Sequence, residues 1–240
     1  MKIITGMHRS GTSLVSCLMY KSGLDFGNPK DFYRPDKFNP RGYYENKKIS
    51  IANKKLLEGI WGRLSYFKLP NKKTILKRYK NNAEYYTLLQ NQFKNKWVKD
   101  PRFCFTIDFW PKEIEKLIII IRHPSEIAKS LRRRNHITIN YGLKLWRIHM
   151  VNLLKSTKNF KKIFISYENI IEKNYQNQEL NKLLEAMSDQ ERTNVNLASL
   201  KNILSSSLPQ KKLDNNHNDF ILSQNIKCFK TWKFIQKNYL

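Results

Sequence analysis

Residues 6–13 read Gly6-Met7-His8-Arg9-Ser10-Gly11-Thr12-Ser13, and their reading decides the fold. Two glycines with four residues between them, followed by Thr12-Ser13, have the spacing of the phosphate loop G-x-x-x-x-G-K-S/T, with Thr12 in the lysine position. Upstream, Ile3-Ile4 is a short buried-strand signal; downstream, an apolar helical pattern runs from about Thr12 to Tyr20. In a strand–loop–helix context, backbone N–H groups and the positive end of the helix bind an anion without any particular side chain. The lysine matters where a β/γ-phosphate pair and Mg²⁺ carry several charges through a reaction. With Thr12 in its place, the loop predicts an anion cradle with two hydroxyls, Thr12 and Ser13, and one cation, Arg9.

Beyond the loop, residues 25–45 are rich in Pro, Asn, Asp and Gly and read as a long connection. Ile49, Ala52, Leu56, Leu57 and Ile60 follow at helical spacing, and a second amphipathic helix is expected over about Thr74 to Phe93. Trp97-Val98 reads as a strand stopped at Lys99-Asp100-Pro101. Leu117-Ile118-Ile119-Ile120-Ile121 is continuous and apolar, as a strand buried on both faces requires. It ends at Arg122-His123-Pro124, where Pro124 suits the first turn of a helix. A further helix is expected over roughly Asn140 to Lys155, then a strand at Ile163-Phe164-Ile165 leading into Tyr167-Glu168. The last fifty residues read as helical in parts, Ser- and Asn-rich around 205–219.

Strands alternating with helices predict an α/β fold: three layers, P-loop-like, with a central parallel sheet flanked by helices. Ligands of such sheets lie beyond the carboxyl ends of the strands. Gly6 to Ser13, Lys99-Asp100, Arg122 and Tyr167-Glu168 all fall there. A length of 240 residues is most simply one domain over 1–240.

The formal charge is +26, with 45 Lys+Arg against 19 Asp+Glu. That fits a polyanion partner. It equally fits AT-rich codon usage, because 33 lysines outnumber 12 arginines, 25 residues are Asn, and the lysines are spread along the whole chain. Cys17, Cys104 and Cys228 form no C-x-x-C pair, which argues against a disulfide framework or a zinc site and fits a reducing compartment. Lys2-Ile3-Ile4-Thr5 running into the glycine loop is not a signal peptide, and the longest apolar run, Leu117 to Ile121, is far too short to cross a bilayer. The expectation is a soluble, cytoplasmic protein without a transmembrane segment.

The loop Gly6 to Ser13 resembles the 5′-phosphosulfate loop of sulfotransferases that use 3′-phosphoadenosine-5′-phosphosulfate (PAPS). Ile121-Arg122-His123-Pro124 through Ser130 is similar to their 3′-phosphate-binding strand–turn–helix, which pairs an arginine with a serine eight residues on. The likeness continues through Asn39-Pro40-Arg41-Gly42-Tyr43-Tyr44-Glu45 and Val98-Lys99-Asp100-Pro101-Arg102, and fades after about Glu168. It is strongest over 1–168, leaving 169–240 as a helical C-terminal part. From the residues alone, an arginine leaving a buried strand can hold a phosphate through its planar fork, or pair with a nearby carboxylate. Arg132-Arg133-Arg134 reads first as a solvated helix end that can still lend charge to the 3′-phosphate or to an acidic acceptor.

The resemblance implies PAPS as co-substrate without a metal, bound by His8, Arg9, Ser10, Gly11, Thr12, Ser13, Arg122 and Ser130. It places Lys99 near the bridging oxygen, with Arg9 sharing that charge. Sulfuryl transfer needs a base for the acceptor hydroxyl; Glu45, Asp100, Asp25, His8, His123 and His136 are the candidates. Glu45 is chosen because it ends a loop entering a helix near the cradle. The carbohydrate and tyrosine-protein branches also use a glutamate downstream of the loop. In the cytosolic small-molecule branch the base is a histidine two residues after the lysine; here that residue is Pro101, so the likeness is to the bacterial, carbohydrate- and tyrosine-sulfotransferase-like branch. The acceptor is then a hydroxyl on a glycan, lipid or peptide, most simply a carbohydrate, and an acidic substrate suits the charge. The alternatives are a P-loop kinase or NTPase-like phosphotransferase, which Thr12 contradicts, a basic nucleic-acid-binding protein, for which no recognition helix or aromatic-studded patch stands out, and an inactive relative that keeps only the fold. No specific nucleic acid partner is expected.

Overall fold

Four short strands, Lys2–Thr5 (β1), Trp97–Lys99 (β2), Lys116–Ile121 (β3) and Ile163–Ser166 (β4), form an all-parallel sheet in the order β2-β1-β3-β4. The computed structural model describes residues 1–58, 71–110, 114–207 and 215–240. Register pairs Ile4 with Lys99, Thr5 with Ile119, and Ile121 with Ser166. Every strand therefore delivers its carboxyl end to the same edge.

The helices among the described residues are Thr12–Lys21 (α1), Lys47–Leu57 (α2), Lys72–Lys80 (α3), Ala83–Gln92 (α4), Phe103–Thr106 (α5), Pro124–Asn135 (α6) and Ile139–Ser156 (α7). After β4 come Tyr167–Ile171 (α8), Lys173–Ala186 (α9), Asp189–Arg192 (α10), Leu197–Ser205 (α11), Asn215–Ser223 (α12) and Ile226–Tyr239 (α13).

Successive strand side chains point to opposite faces, and the core divides accordingly. Ile3, Val98, Leu117, Ile119, Ile121 and Phe164 pack with α2, α4, α6, α7 and α13 through residues such as Leu56, Leu89, Ile127, Trp146 and Trp232. Ile4, Trp97, Ile118, Ile120 and Ile165 pack on the other face with α1, α9 and α11 through Val15, Leu18, Leu183 and Leu200. The unbroken isoleucine run of β3 follows from this, since both its faces are covered. The architecture is α/β in three layers, as expected from the sequence.

One expectation changes. The helix expected over Thr74 to Phe93 is two helices, because Asn81 caps the end of α3 and Asn82 (φ −134°) the start of α4. Asn favours caps over helix interiors, and the break lets Tyr79 and Tyr86 meet at 5.3 Å between ring centroids. The described residues of the C-terminal part are helical, as expected, and pack on the domain. Trp232 of α13 stands edge-on to His123 and Trp146. Ile60, placed on α2 by its spacing, lies outside the described residues. No helix among the described residues is long and apolar enough to cross a membrane. Cys17, Cys104 and Cys228 are free, buried thiols.

Candidate functional site

β1 runs directly into the glycine loop, which leans on β3 and on Tyr167 at the start of α8. Gly6 has φ +151°, and a Cβ there would lie 2.4 Å from the carbonyl oxygen of Ile120. Gly11 has φ +96°, and its Cβ would fall 2.2 Å from the ring of Tyr167. Both positions require glycine by conformation and by space. Arg9 is itself left-handed at φ 70°, a conformation uncommon outside glycine and concentrated at functional loops. The first N–H groups of α1 have no intrahelical partner, so Thr12 and Ser13 open the helix as anion donors.

A cavity of about 330 Å³ opens over this loop. Of the ten residues singled out from sequence, His8, Arg9, Gly11, Thr12, Ser13, Glu45, Lys99, Arg122 and Ser130 line it. Ser10 does not: it is 1% exposed beneath the loop, its N–H bonded to the carbonyl of Met7. Its buried Oγ has no hydrogen-bond partner among the described residues and lies 2.8 Å from where a Gly6 Cβ would fall.

Lys99 ends β2 with 2% exposure. Its ammonium donates to Glu45 Oε1 at 2.7 Å, the Tyr43 carbonyl at 3.1 Å and Ser13 Oγ at 3.2 Å. Glu45 precedes Asn46, whose side chain caps α2. The Glu45 carboxylate therefore turns toward the sheet edge instead of the helix amides. Its Oε2 stands 3.7 Å from Arg102, beyond hydrogen-bond reach. Asp100, an alternative base in the sequence, is structural: Arg102 donates to both its oxygens, at 3.0 and 3.1 Å. Burial pushes the Asp100 carboxyl up, against the pull of Arg102.

The second segment meets the first. Arg9 Nε donates to Ser130 Oγ at 2.9 Å, and Arg122 donates to the carbonyl of Arg9 at 3.1 Å. Of the two readings of Arg122, pairing with a nearby carboxylate is the one observed. It pairs with Glu126 at 3.1 Å and stacks 4.3 Å above the ring of Tyr167, yet it lines the cavity and its buried Nε has no hydrogen-bond partner among the described residues. Ser130, accepting from Arg9, keeps its own O–H to donate.

The other base candidates fall elsewhere. The carbonyl of Asp25 accepts from the N–H of Trp97, the first residue of β2, so Asp25 is at the opposite end of that strand. His123 caps α6 and contacts Asp219 at 3.2 Å. His136 caps the far end of α6 and lines a separate cleft. His8 lines the cavity, and burial, followed by the charges of Arg102, His149, Lys99 and Arg134, drives its pKa well down. Its imidazole is thereby held toward the neutral form.

The arginine run 132–134, read from the sequence as a helix end able to lend charge, supplies part of the remaining wall. One helical turn beyond Ser130, Arg133 and Arg134 face the cavity; their signal was the arginine run itself. Arg134 lies 5.1 Å over the Phe38 ring. Arg41 donates to the carbonyl of Ser207, which no local pattern announces. The lining carries six cationic side chains against the single carboxylate of Glu45. Burial first, then the neighbouring charges of Arg134 and Arg122, pull the pKa of Arg9 below its ordinary value. Among the described residues no three His, Cys, Asp or Glu side chains gather as a metal-binding group. No family model, curated protein or solved structure matches the chain.

Proposed function

We propose that the protein transfers a sulfuryl group from PAPS to an acceptor hydroxyl, with Glu45 as general base and Lys99 and Arg9 stabilising the leaving phosphate. The observation that carries this reading is the Lys99–Glu45 pair, 2.7 Å apart, held over Ser13 at the mouth of the anion cradle. It puts a proton acceptor and a buried cation beside Ser13, where the donor's anionic end would sit.

The residues fit an anionic donor with two phosphate-bearing ends. The first-turn amides of α1, with Thr12, Ser13 and Arg9, would hold the 5′-phosphosulfate; Arg122, Ser130 and His8 would hold the 3′-phosphate and its surroundings. The unpartnered Nε of Arg122 and the donor O–H of Ser130 are the groups such a ligand would satisfy. When bound, PAPS supplies a sulfuryl group already attached to a good leaving phosphate.

In the transfer, the acceptor oxygen forms the new O–S bond as the bridging O–S bond breaks, and that electron pair leaves on the phosphate. Glu45 Oε2 takes the hydroxyl proton. Lys99 and Arg9 meet the charge that develops on the departing oxygen, as preorganised donors do in other transfer sites. Thr12 in the loop's lysine position is then no defect, because Lys99 brings the needed cation from β2. Incubation with radiolabelled PAPS and a panel of glycan, lipid and peptide acceptors tests this. Label entering an acceptor is expected; a chain that binds PAPS but transfers to nothing would be an inactive relative.

A further inference from the structure

A second cavity, of about 390 Å³, adjoins the first and shares His8, Tyr43, Glu45 and Arg134 with it. Glu45 thus stands in a common wall. Only the first cavity touches the glycine loop beyond Arg9, whereas the second is bounded by the 25–45 connection, Lys54 of α2 and the ends of α6 and α7.

The charge of the second cavity is distinctive. Glu45 and Arg102 are already balanced within the Lys99–Glu45–Arg102–Asp100 cluster. Asp36 is committed to the Tyr43 hydroxyl at 2.6 Å and to the N–H groups of Phe38 and Asn39; burial, then this carboxylate, pushes the Tyr43 phenol to about 12. Arg34, Lys54 and Arg134 remain, and Asp36 offsets one of the three. Among the described residues lining it, the wall keeps a surplus of positive charge.

The rest of the wall mixes polar groups with apolar surface, to which the half-buried Ile137 contributes. Lys54 donates to the Tyr33 hydroxyl at 3.2 Å and lies over its ring. Leu131 and Leu145 are 5% and 4% exposed, so they offer little apolar surface. Phenols, guanidinium groups and an amide spread around the wall suit a ring with hydroxyls on every side better than a flat aromatic ring.

We propose that this cavity is the acceptor site and that the acceptor is an acidic saccharide, a sugar whose carboxylate or sulfate is held by Arg34 and Lys54 while a free hydroxyl reaches Glu45. The proposal rests on the transfer reaction above and names its substrate class.

Calorimetric titration of the full chain tests it. The probes are a glucuronate disaccharide, an O-sulfated disaccharide, the uncharged glucose counterpart, and a tyrosine peptide flanked by glutamates. Each is titrated with and without adenosine 3′,5′-bisphosphate. One acidic disaccharide is expected to bind roughly tenfold or more tighter than the uncharged sugar, as a charge-assisted contact allows, and to weaken as salt rises. Arg34→Ser and Lys54→Gln, both at exposed side chains, are each expected to cost roughly tenfold in that affinity while leaving the melting temperature and the bisphosphate affinity unchanged. Tighter binding of the peptide, equal binding of the uncharged sugar, or variants that bind like the wild type would overturn the proposal. The two readings fail separately. Bisphosphate binding with no acidic disaccharide binding removes the acceptor assignment alone. Acidic disaccharide binding with no affinity for the bisphosphate removes the PAPS reaction and leaves the cavity's ligand in place.

Discussion

Glu45 and Lys99 are nearly inaccessible to water, and each is the other's nearest charge. Removing one partner of a buried pair strands the other, at a cost of about 3–5 kcal/mol. Lys99→Met is therefore expected to lower stability in chemical denaturation, and adding Glu45→Gln to restore part of it; additive losses would show that the two residues are not coupled. Glu45→Gln alone still accepts a hydrogen bond from Lys99 but cannot take a proton. Its turnover is expected to fall by about 10²–10⁴ with bisphosphate affinity unchanged, and full turnover would remove Glu45 as base. His149 offers a pH test. It is buried, its ring nitrogen is 2.8 Å from the carbonyl of Leu145, and burial lowers its pKa to about 4. The unfolded chain binds its proton near the ordinary value of 6.5 and the folded chain near 4. The stabilisation is thus fully present above pH 6.5 and is lost as pH falls from there toward 4, by up to roughly 1.4 kcal/mol per pH unit. Unfolding titrations of His149→Phe beside wild type should show a shallower fall over that window; parallel profiles would contradict the assignment. At this scale the cradle was legible because glycine spacing, Arg122 and Ser130 are short-range signals. Glu126 as the partner of Arg122 is four residues away and equally local, but a carboxylate on a helix face is too common to single out.

At the scale of elements, the contact between α6 and α7 aims Ser130, Arg133 and Arg134 at the cavity. Gly142 of α7 makes it possible. A Cβ at this position would stand 2.9 Å from the Cα of Ala128 in α6, so the missing side chain lets the helices close up. Gly142→Ala gains helix propensity, about 1 kcal/mol, but overpacks the contact, at a typical cost of about 1–3 kcal/mol. A net loss in melting temperature is expected, with bisphosphate binding weakened because α6 is displaced; a stabilised variant would show that the helices can part freely. The boundaries of β3, α6 and α7 followed from the isoleucine run, from Pro124 and from the apolar spacing. The break at Asn81-Asn82 was harder, because Tyr79 and Tyr86 continue a helical spacing across it. Their rings pack together only once the chain has bent. The role of α12 was also beyond local reading: Asn218 and Asp219 meet Ser125, Lys129 and His123 from more than 85 residues away.

For the molecule as a whole, parallel strands bring four separated segments to one edge, and the surplus charge of +26 gains a local meaning there. Codon bias can spread lysines over a surface, but the cavity's cations are mostly arginines fixed by carbonyls, rings and Ser130. Anion affinity should accordingly fall with ionic strength. The strand order and the meeting of residues such as Arg41 and Ser207 depend on this assembly and are invisible in any single stretch of sequence. The central claim concerns which anion the edge holds, and thermal unfolding of the full chain tests it most directly, with adenosine 3′,5′-bisphosphate in one series and ATP–Mg²⁺ in the other. A ligand at a hundred times its Kd stabilises by about 2.7 kcal/mol, which for a chain of this size raises Tm by about 5–10 °C. The bisphosphate is expected to give that shift and ATP–Mg²⁺ to give little; a shift with ATP–Mg²⁺ and none with the bisphosphate would contradict the sulfuryl-transfer reading.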